Sequence, residues 1–138
     1  MSDLTLPDKR QMRRSFEKAA STYDQAAALQ REVGTRALER LELVKLDPSI
    51  IVDAGCGTGF ALQALHQRYS RATLVALDIA PAMLQKSRAR IARWKQWFGL
   101  SRQVFVCGDN GRLPLRSACV DMIWSSLAFQ WAEDLPAV

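Results

Sequence analysis

Cysteine and histidine are scarce in this sequence: 138 residues contain three of the first and one of the second. Cys56, Cys107 and Cys119 form no C-x-x-C pair and cannot all be disulfide-bonded, which points to a reducing compartment and away from a structural zinc. The one histidine, His66, stands among Gln63, Gln67 and Arg68, a setting that suits a helix surface better than a general base. No apolar run approaches the roughly 18 residues of a membrane span, and the opening MSDLTLPDKRQMRR has no apolar signal core. A secreted or membrane-spanning chain is therefore a poor reading, and the cytoplasm is the expected place. Repeats, low-complexity linkers and a G-x-x-x-x-G-K-[ST] triphosphate loop are also missing.

What remains is the composition of a globular domain, 49% hydrophobic and 24% charged, long enough to bury a core. Nineteen Lys and Arg against fourteen Asp and Glu leave a net charge of +5. Much of the excess falls in two clusters, Lys9, Arg10, Arg13, Arg14 and Lys18, then Lys86, Arg88, Arg90, Arg93 and Lys95. They fit either an acidic partner or the solvated faces of two amphipathic helices.

The periodicity changes along the chain. Met12, Phe16, Ala19 or Ala20, and Tyr23 recur at helical spacing; a second helix carries Val33, Ala37, Leu41 and Val44 and stops before Asp47-Pro48. Residues 50–54 form a short apolar run that suits a buried parallel strand, followed by a helix using Leu62, Leu65 and Tyr69. Next come a strand at 73–77, a helix opened by Pro81 and facing inward through Met83, Leu84, Ser87, Ile91 and Trp94, a strand at 103–107 and a fourth at 120–125. Alternating strands and helices predict an open α/β fold with a parallel sheet. Four strands would leave residues 120–125 as a long apolar edge, so part of the natural domain is expected to be absent.

The sharpest signal is Val52-Asp53-Ala54-Gly55-Cys56-Gly57-Thr58-Gly59, a strand running into a glycine turn and then a helix. Glycine tolerates positive φ and lets a ligand approach the bare backbone, and a helix start offers unpaired N–H groups. A tight turn without a ligand would look the same. Asp78 closes the next strand at the distance where a carboxylate can take both ribose hydroxyls of a nucleoside; it is equally placed to cap the helix at Pro81. The dinucleotide fingerprint G-x-G-x-x-G fails here, because Phe60 follows Gly59 and the third glycine arrives one residue early. Asp53 would repel a pyrophosphate and suit a ligand with an amino group and positive charge, as in S-adenosylmethionine.

These residues resemble the class I S-adenosylmethionine-dependent methyltransferases. Residues 52–59 look like their first motif, Leu77-Asp78 the second, Gly108-Asp109-Asn110 with Leu113-Pro114 the third, and Val120-Asp121-Met122-Ile123-Trp124-Ser125 the fourth. The resemblance implies a Rossmann-like fold with N-terminal helices and a seven-stranded parallel sheet, truncated here after the fourth strand. Residues 1–47 would be a helical lid and substrate-side segment, and 48–138 the first part of the cofactor domain. By the same resemblance S-adenosylmethionine is held by Tyr23, Asp53, Gly55, Cys56, Gly57, Gly59, Asp78, Ile79, Met83, Asp109, Asn110 and Ser125. Asp109 would take the adenine amino group, with Ile79 and Asn110 bracketing the ring.

Two stretches, residues 16–30 and 124–131, are similar to the malonyl-acyl-carrier-protein O-methyltransferases of biotin synthesis, with Ser126 where that family usually has asparagine. The resemblance implies an acidic carrier protein met by the basic residues of 9–18, and no nucleic acid or membrane. It implies no catalytic base; Tyr23, Gln130 and Trp131 are candidates for positioning the acceptor. Trp124, Phe129 and Trp131 could equally be core. Methyltransferases of other small molecules, such as quinone precursors, share the Ala20-x-x-Tyr23-Asp24 pattern and stay open as an alternative, as does an inactive cofactor-binding or interaction fragment. Residues 1–138 alone are expected to be inactive and to self-associate.

Overall fold

In the computed structural model the described residues are 8–98 and 102–132, with the side chains of 25, 26 and 94–98 left aside. Helix α1 (Lys9–Ala19) starts where the Asp8 carboxylate accepts the Arg10 N–H at 2.9 Å, and a turn at residues 20–22 separates it from the short α2 (Tyr23–Ala26). The helical spacing from Met12 to Tyr23 thus spans two helices. Helix α3 (Ala28–Arg40) gives way to a 3-10 turn at Leu41–Leu43, which corrects the expected helix: Val44 is extended and 44% exposed. The inward face carries Ala37, Leu38 and Leu41 instead.

Four parallel strands follow, β1 (Ile50–Ala54), β2 (Thr73–Asp78), β3 (Gln103–Cys107) and β4 (Met122–Trp124), in the order β3-β2-β1-β4. Helix α4 (Leu62–Arg68) and helix α5 (Pro81–Phe98) connect β1 to β2 and β2 to β3. The fourth strand is shorter than the expected 120–125, because Asp121 is used otherwise: its carboxylate accepts the N–H groups of Ser49 and Ile50, both at 2.9 Å, and ties the start of β1 to β4. The Trp94 side chain, expected to face inward, lies outside the described residues.

Alternation along β1 and β2 sorts the core into two layers. Ile51, Leu74 and Ala76 pack with Leu62, Leu65, Leu84 and Ile91 of the helices on one face. Val52, Ala54, Val75 and Leu77 lie on the other, against Leu113, Leu115, Val120 and Phe129. Ile51, Leu62, Leu65, Leu74 and Leu77 are almost wholly buried, each contributing about 1.5–3 kcal/mol. The strand order turns back at β1, so β2 and β4 flank it and the carboxyl ends of all three open at the switch point where open α/β sheets bind ligands.

Candidate functional site

The glycine loop after β1 is pinned from beneath by backbone alone. The N–H groups of Gly55 and Cys56 donate to the Leu77 carbonyl at 2.8 and 2.9 Å, so the end of β1 is locked to the end of β2. Gly55 has φ of 76°, and a Cβ there would stand 2.3 Å from the Ala128 Cβ. At Gly59, with φ of 83°, a Cβ would meet Ser87 Oγ of α5 at 2.5 Å. Gly57 differs: a Cβ would meet only the Tyr23 ring, at 3.9 Å, so its backbone faces open space. Two of the glycines allow close packing, then, and the third bares the backbone.

Asp78 lies across that bare backbone. Its Oδ2 accepts the Gly57 N–H and its Oδ1 the Ala80 N–H, both at 2.9 Å, so Asp78 closes the turn ahead of α5 and does not reach the helix's own N–H groups as the expected N-cap would. Each carboxylate oxygen has two acceptor sites, which leaves capacity for a second donor on each. Burial raises the Asp78 carboxyl above its ordinary range, against the pull of the Ala80, Gly57 and Ile79 N–H groups. Asp53 is the more perturbed carboxyl. Full burial, then the neighbouring Asp78 charge, push it from 3.8 to about 7, and its Oδ2 has no hydrogen-bond partner among the described residues. A buried acceptor without a donor is costly unless a ligand supplies one.

Two lobes of one cleft, each about 530 Å³ including its mouth, meet along Tyr23, Gly55, Gly57 and Ser126. Lobe one is an apolar slot walled by Leu77, Ile79, Met83, Gly108 and Asn110, with Asp78 in it. Lobe two has Asp53, Cys56, Thr58 and Trp124 in its wall, and Ser126 Oγ at its junction is buried and unpartnered among the described residues. Burial, and then Asp53 and Asp78, push the Cys56 thiol well above its ordinary range, so it is no nucleophile.

The structure thus brings Tyr23, Asp53, Gly55, Cys56, Gly57, Asp78, Ile79, Met83, Asn110 and Trp131 to the cleft walls. Gly59 supports from behind. Ser125 donates its hydroxyl to the Ala54 carbonyl at 2.9 Å and serves the backbone rather than the cavity. Gln130 is exposed and does not line either lobe. Trp124 belongs to the core and Phe129 packs under the sheet, whereas Trp131 meets Phe16 edge-on at 6.3 Å over lobe one.

With that geometry in place, comparison with known proteins is decisive. The family described as "Methyltransferase domain" matches residues 52–138, more than half of the chain. The chain belongs to the methyltransferase-domain family. Over 134 residues it is 52% identical to the malonyl-acyl-carrier-protein O-methyltransferase of Methylovorus sp. strain MP688, covering 97% of this chain and 45% of that protein. The same enzyme of Gallionella capsiferriformans is 50% identical over 94% of this chain and 45% of its own length. The chain therefore spans less than half the length of these relatives. A Haloferax volcanii methyltransferase, solved in complex with the Trm112 methyltransferase activator, superposes with a TM-score of 0.68 at 29% identity, over 86% of this chain and 50% of its own. The fold is the Rossmann-like α/β fold of class I methyltransferases.

Several features of this methyltransferase domain had no sequence signal. Lys9, counted among cations facing outward, reaches Asp109 with its ammonium at 2.6 Å. Burial alone would raise the Asp109 carboxyl, but Lys9 and the Gly111 N–H outweigh it and hold it low. Asp109 is thus tied to the N-terminal helix and does not line the cleft. Arg90 and Asp24 pair across the loop, and Arg88 stacks over the Phe105 ring at 4.9 Å. Leu127, beside lobe one, takes φ of 54°, a conformation uncommon for a branched residue. A charge pair far apart in sequence has no local pattern; Leu127 had none either.

Proposed function

We propose that this chain provides the S-adenosylmethionine site of a methyltransferase that O-methylates the free carboxylate of malonyl-acyl-carrier protein. The observation that carries the cofactor is the bare Gly57 backbone between two buried carboxyls, Asp78 in an apolar slot and Asp53 with an oxygen awaiting a donor. These residues fit the group. Asp78 would hold the ribose hydroxyls, Ile79, Met83 and Asn110 the ring, and Asp53 with the loop the cationic amino-acid end. The Asp109 carboxylate would reach the adenine only past its Lys9 pair, so its part there stays secondary. When bound, S-adenosylmethionine supplies a methyl group on a sulfonium, an electrophile strong enough for an ionised oxygen.

The acceptor rests on the names of the relatives and on what the cleft lacks. A malonyl carboxyl, with a pKa near ~4, is ionised at pH 7 and needs no general base. The side chains near the junction of the lobes contribute position and dryness instead: Tyr23, Phe16 and Trp131 shield it from water, and the exposed Gln130 beside Trp131 stands at the rim. A surface groove bordered by Asp8, Gln11, Met12, Ser15, Phe16 and Trp131 shares Met12, Phe16 and Trp131 with lobe one and would suit a long thioester arm. Arg10, Arg13, Arg14 and Lys18 are exposed on α1 and would face the acidic carrier, without Lys9.

No described helix is long and apolar enough to cross a membrane, and three free cysteines fit the cytoplasm as the place of action. Residues 1–138 alone would be inactive and self-associate, since among the described residues β4 pairs on one side only and Ile123 is 44% exposed. Light scattering after size-exclusion chromatography checks that. The substrate is tested by radiolabelled methyl transfer from the full-length protein to malonyl carrier, malonyl-CoA, a quinone precursor and tRNA side by side. Transfer to malonyl carrier is expected; transfer only to the quinone precursor or tRNA rejects the acceptor and keeps the methyltransferase.

A further inference from the structure

Arg90 looks in sequence like one more cation on a solvated helix, but its surroundings give it a specific task. It stands on α5 one turn after Ser87, the residue packed against Gly59. Its guanidinium donates to Asp24 Oδ2 and lies 3.4 Å from Thr58 Oγ1; the Thr58 hydroxyl donates to Asp24 Oδ1 at 2.6 Å. One triangle thus joins α5, the glycine loop and the N-terminal segment. Thr58 is buried, and Asp24 follows directly on Tyr23, whose ring lies over Gly57 and borders both lobes. No other described contact fastens residues 23–24 to the loop through a charge.

We propose that Arg90, acting through Asp24, is a positioning residue that holds Tyr23 over the bare Gly57 backbone and so sets the affinity of the cleft for its cofactor. Both contacts come from one guanidinium nitrogen, Nη2, which reaches Asp24 Oδ2 and, at 3.4 Å, Thr58 Oγ1; the charge stays with arginine at any working pH. The pair is only partly exposed, with side-chain exposures of 30% for Arg90 and 43% for Asp24, so water screens it incompletely. Without the pair, Tyr23 would keep its packing neighbours Phe16, Ala20 and Met83, and only the Thr58–Asp24 hydrogen bond would be left to hold its register over the loop. The inference rests on the methyltransferase reading and adds a residue that the motifs do not contain.

The test uses full-length protein and S-adenosylhomocysteine as the probe, with calorimetry for Kd and methyl-transfer kinetics for KM and kcat. Arg90→Ala should weaken binding about tenfold, the worth of one charge-assisted hydrogen bond, and raise the KM for S-adenosylmethionine alike while kcat changes less than threefold. Asp24→Asn should do the same, and the double variant should be no worse than either single one, because both remove one interaction. Arg90→Lys should recover part of the loss, and Arg88→Ala, two residues away and stacked on Phe105, should bind as the wild type does. If Arg90→Ala fails to fold, Arg90→Gln and Asp24→Asn give the same cycle. Wild-type binding with an unchanged Arg90 variant, or additive losses in the double variant, overturns the proposal alone. A wild-type protein that binds no S-adenosylhomocysteine overturns the methyltransferase reading with it.

Discussion

In the floor of the cleft, where β1 and β2 end, position is set mainly by backbone: Gly55 and Cys56 bond the Leu77 carbonyl, the one side chain involved is the Asp78 carboxylate on the Gly57 N–H, and the residues behind them are nearly all buried. In the roof, α1, α2 and residues 126–131, position is set by side chains that reach across the chain. Lys9 holds Asp109, Glu17 accepts the Ala82 N–H at 3.2 Å, Asp24 holds Thr58 and Arg90, and Phe16 leans on Trp131. The contrast teaches where tolerance lies. A backbone-built floor keeps one ligand geometry and fails abruptly, whereas a side-chain roof can be retuned for another acceptor by a few substitutions.

The comparison breaks most visibly at Gly55. Gly55→Ala adds a Cβ 2.3 Å from that of Ala128 at a positive φ, so denaturant unfolding should show a loss of about 2–4 kcal/mol and cofactor binding should vanish. A stable variant that still binds would mean that the floor is as forgiving as the roof.

A pH series on Asp53 sharpens it next. Its native value of about 7 exceeds the ordinary 3.8, so between roughly pH 4 and 7 the folded state holds a proton that the unfolded state has lost. Ligand-free stability should therefore fall as pH rises from about 4 to 7, by up to about 1.4 kcal/mol per pH unit, and level off above 7. Affinity for S-adenosylmethionine should move oppositely between pH 6 and 8, because the ionised carboxylate attracts the cationic amino group. Thermal unfolding from pH 4 to 8 and calorimetry from pH 6 to 8 read the two trends, and Asp53→Asn should flatten both. Flat profiles in the wild type would remove Asp53 from the site.

The smallest effect is expected in the roof. Reversing Arg13 and Arg14 to Glu should raise the KM for malonyl carrier severalfold in low salt and leave malonyl-CoA and cofactor affinity nearly unchanged, since exposed charges act on encounter. The difference should shrink as salt rises, the Debye length being about 8 Å at physiological strength. Equal effects on both substrates would place the two arginines nearer the chemistry than α1 puts them.

How far the sequence was legible follows the same division. The strands announced themselves as β-branched apolar runs ended by turn residues, and Asp53, Gly57 and Asp78 stood out because their spacing is fixed by local backbone geometry. Helix α3 misled at Val44, where the periodicity continued in sequence after the backbone had turned extended toward Ser49 and its bond to Asp121. The roof was hardly readable: Lys9 and Asp109 are 100 residues apart and Arg90 and Asp24 66, and such pairs leave no periodic trace. Lys9 and Arg90 looked like solvated charge, and Asp109 like a cofactor ligand, until the fold paired them.

The claim at the centre is that the floor is the cofactor site, and Asp78 tests it most directly. Calorimetric titration of the full-length protein with S-adenosylhomocysteine should give one site per chain, and Asp78→Ala should weaken it about tenfold or more through the lost ribose contact. Tight binding of NAD in place of S-adenosylhomocysteine, or an Asp78→Ala titration that overlays the wild type, would contradict it.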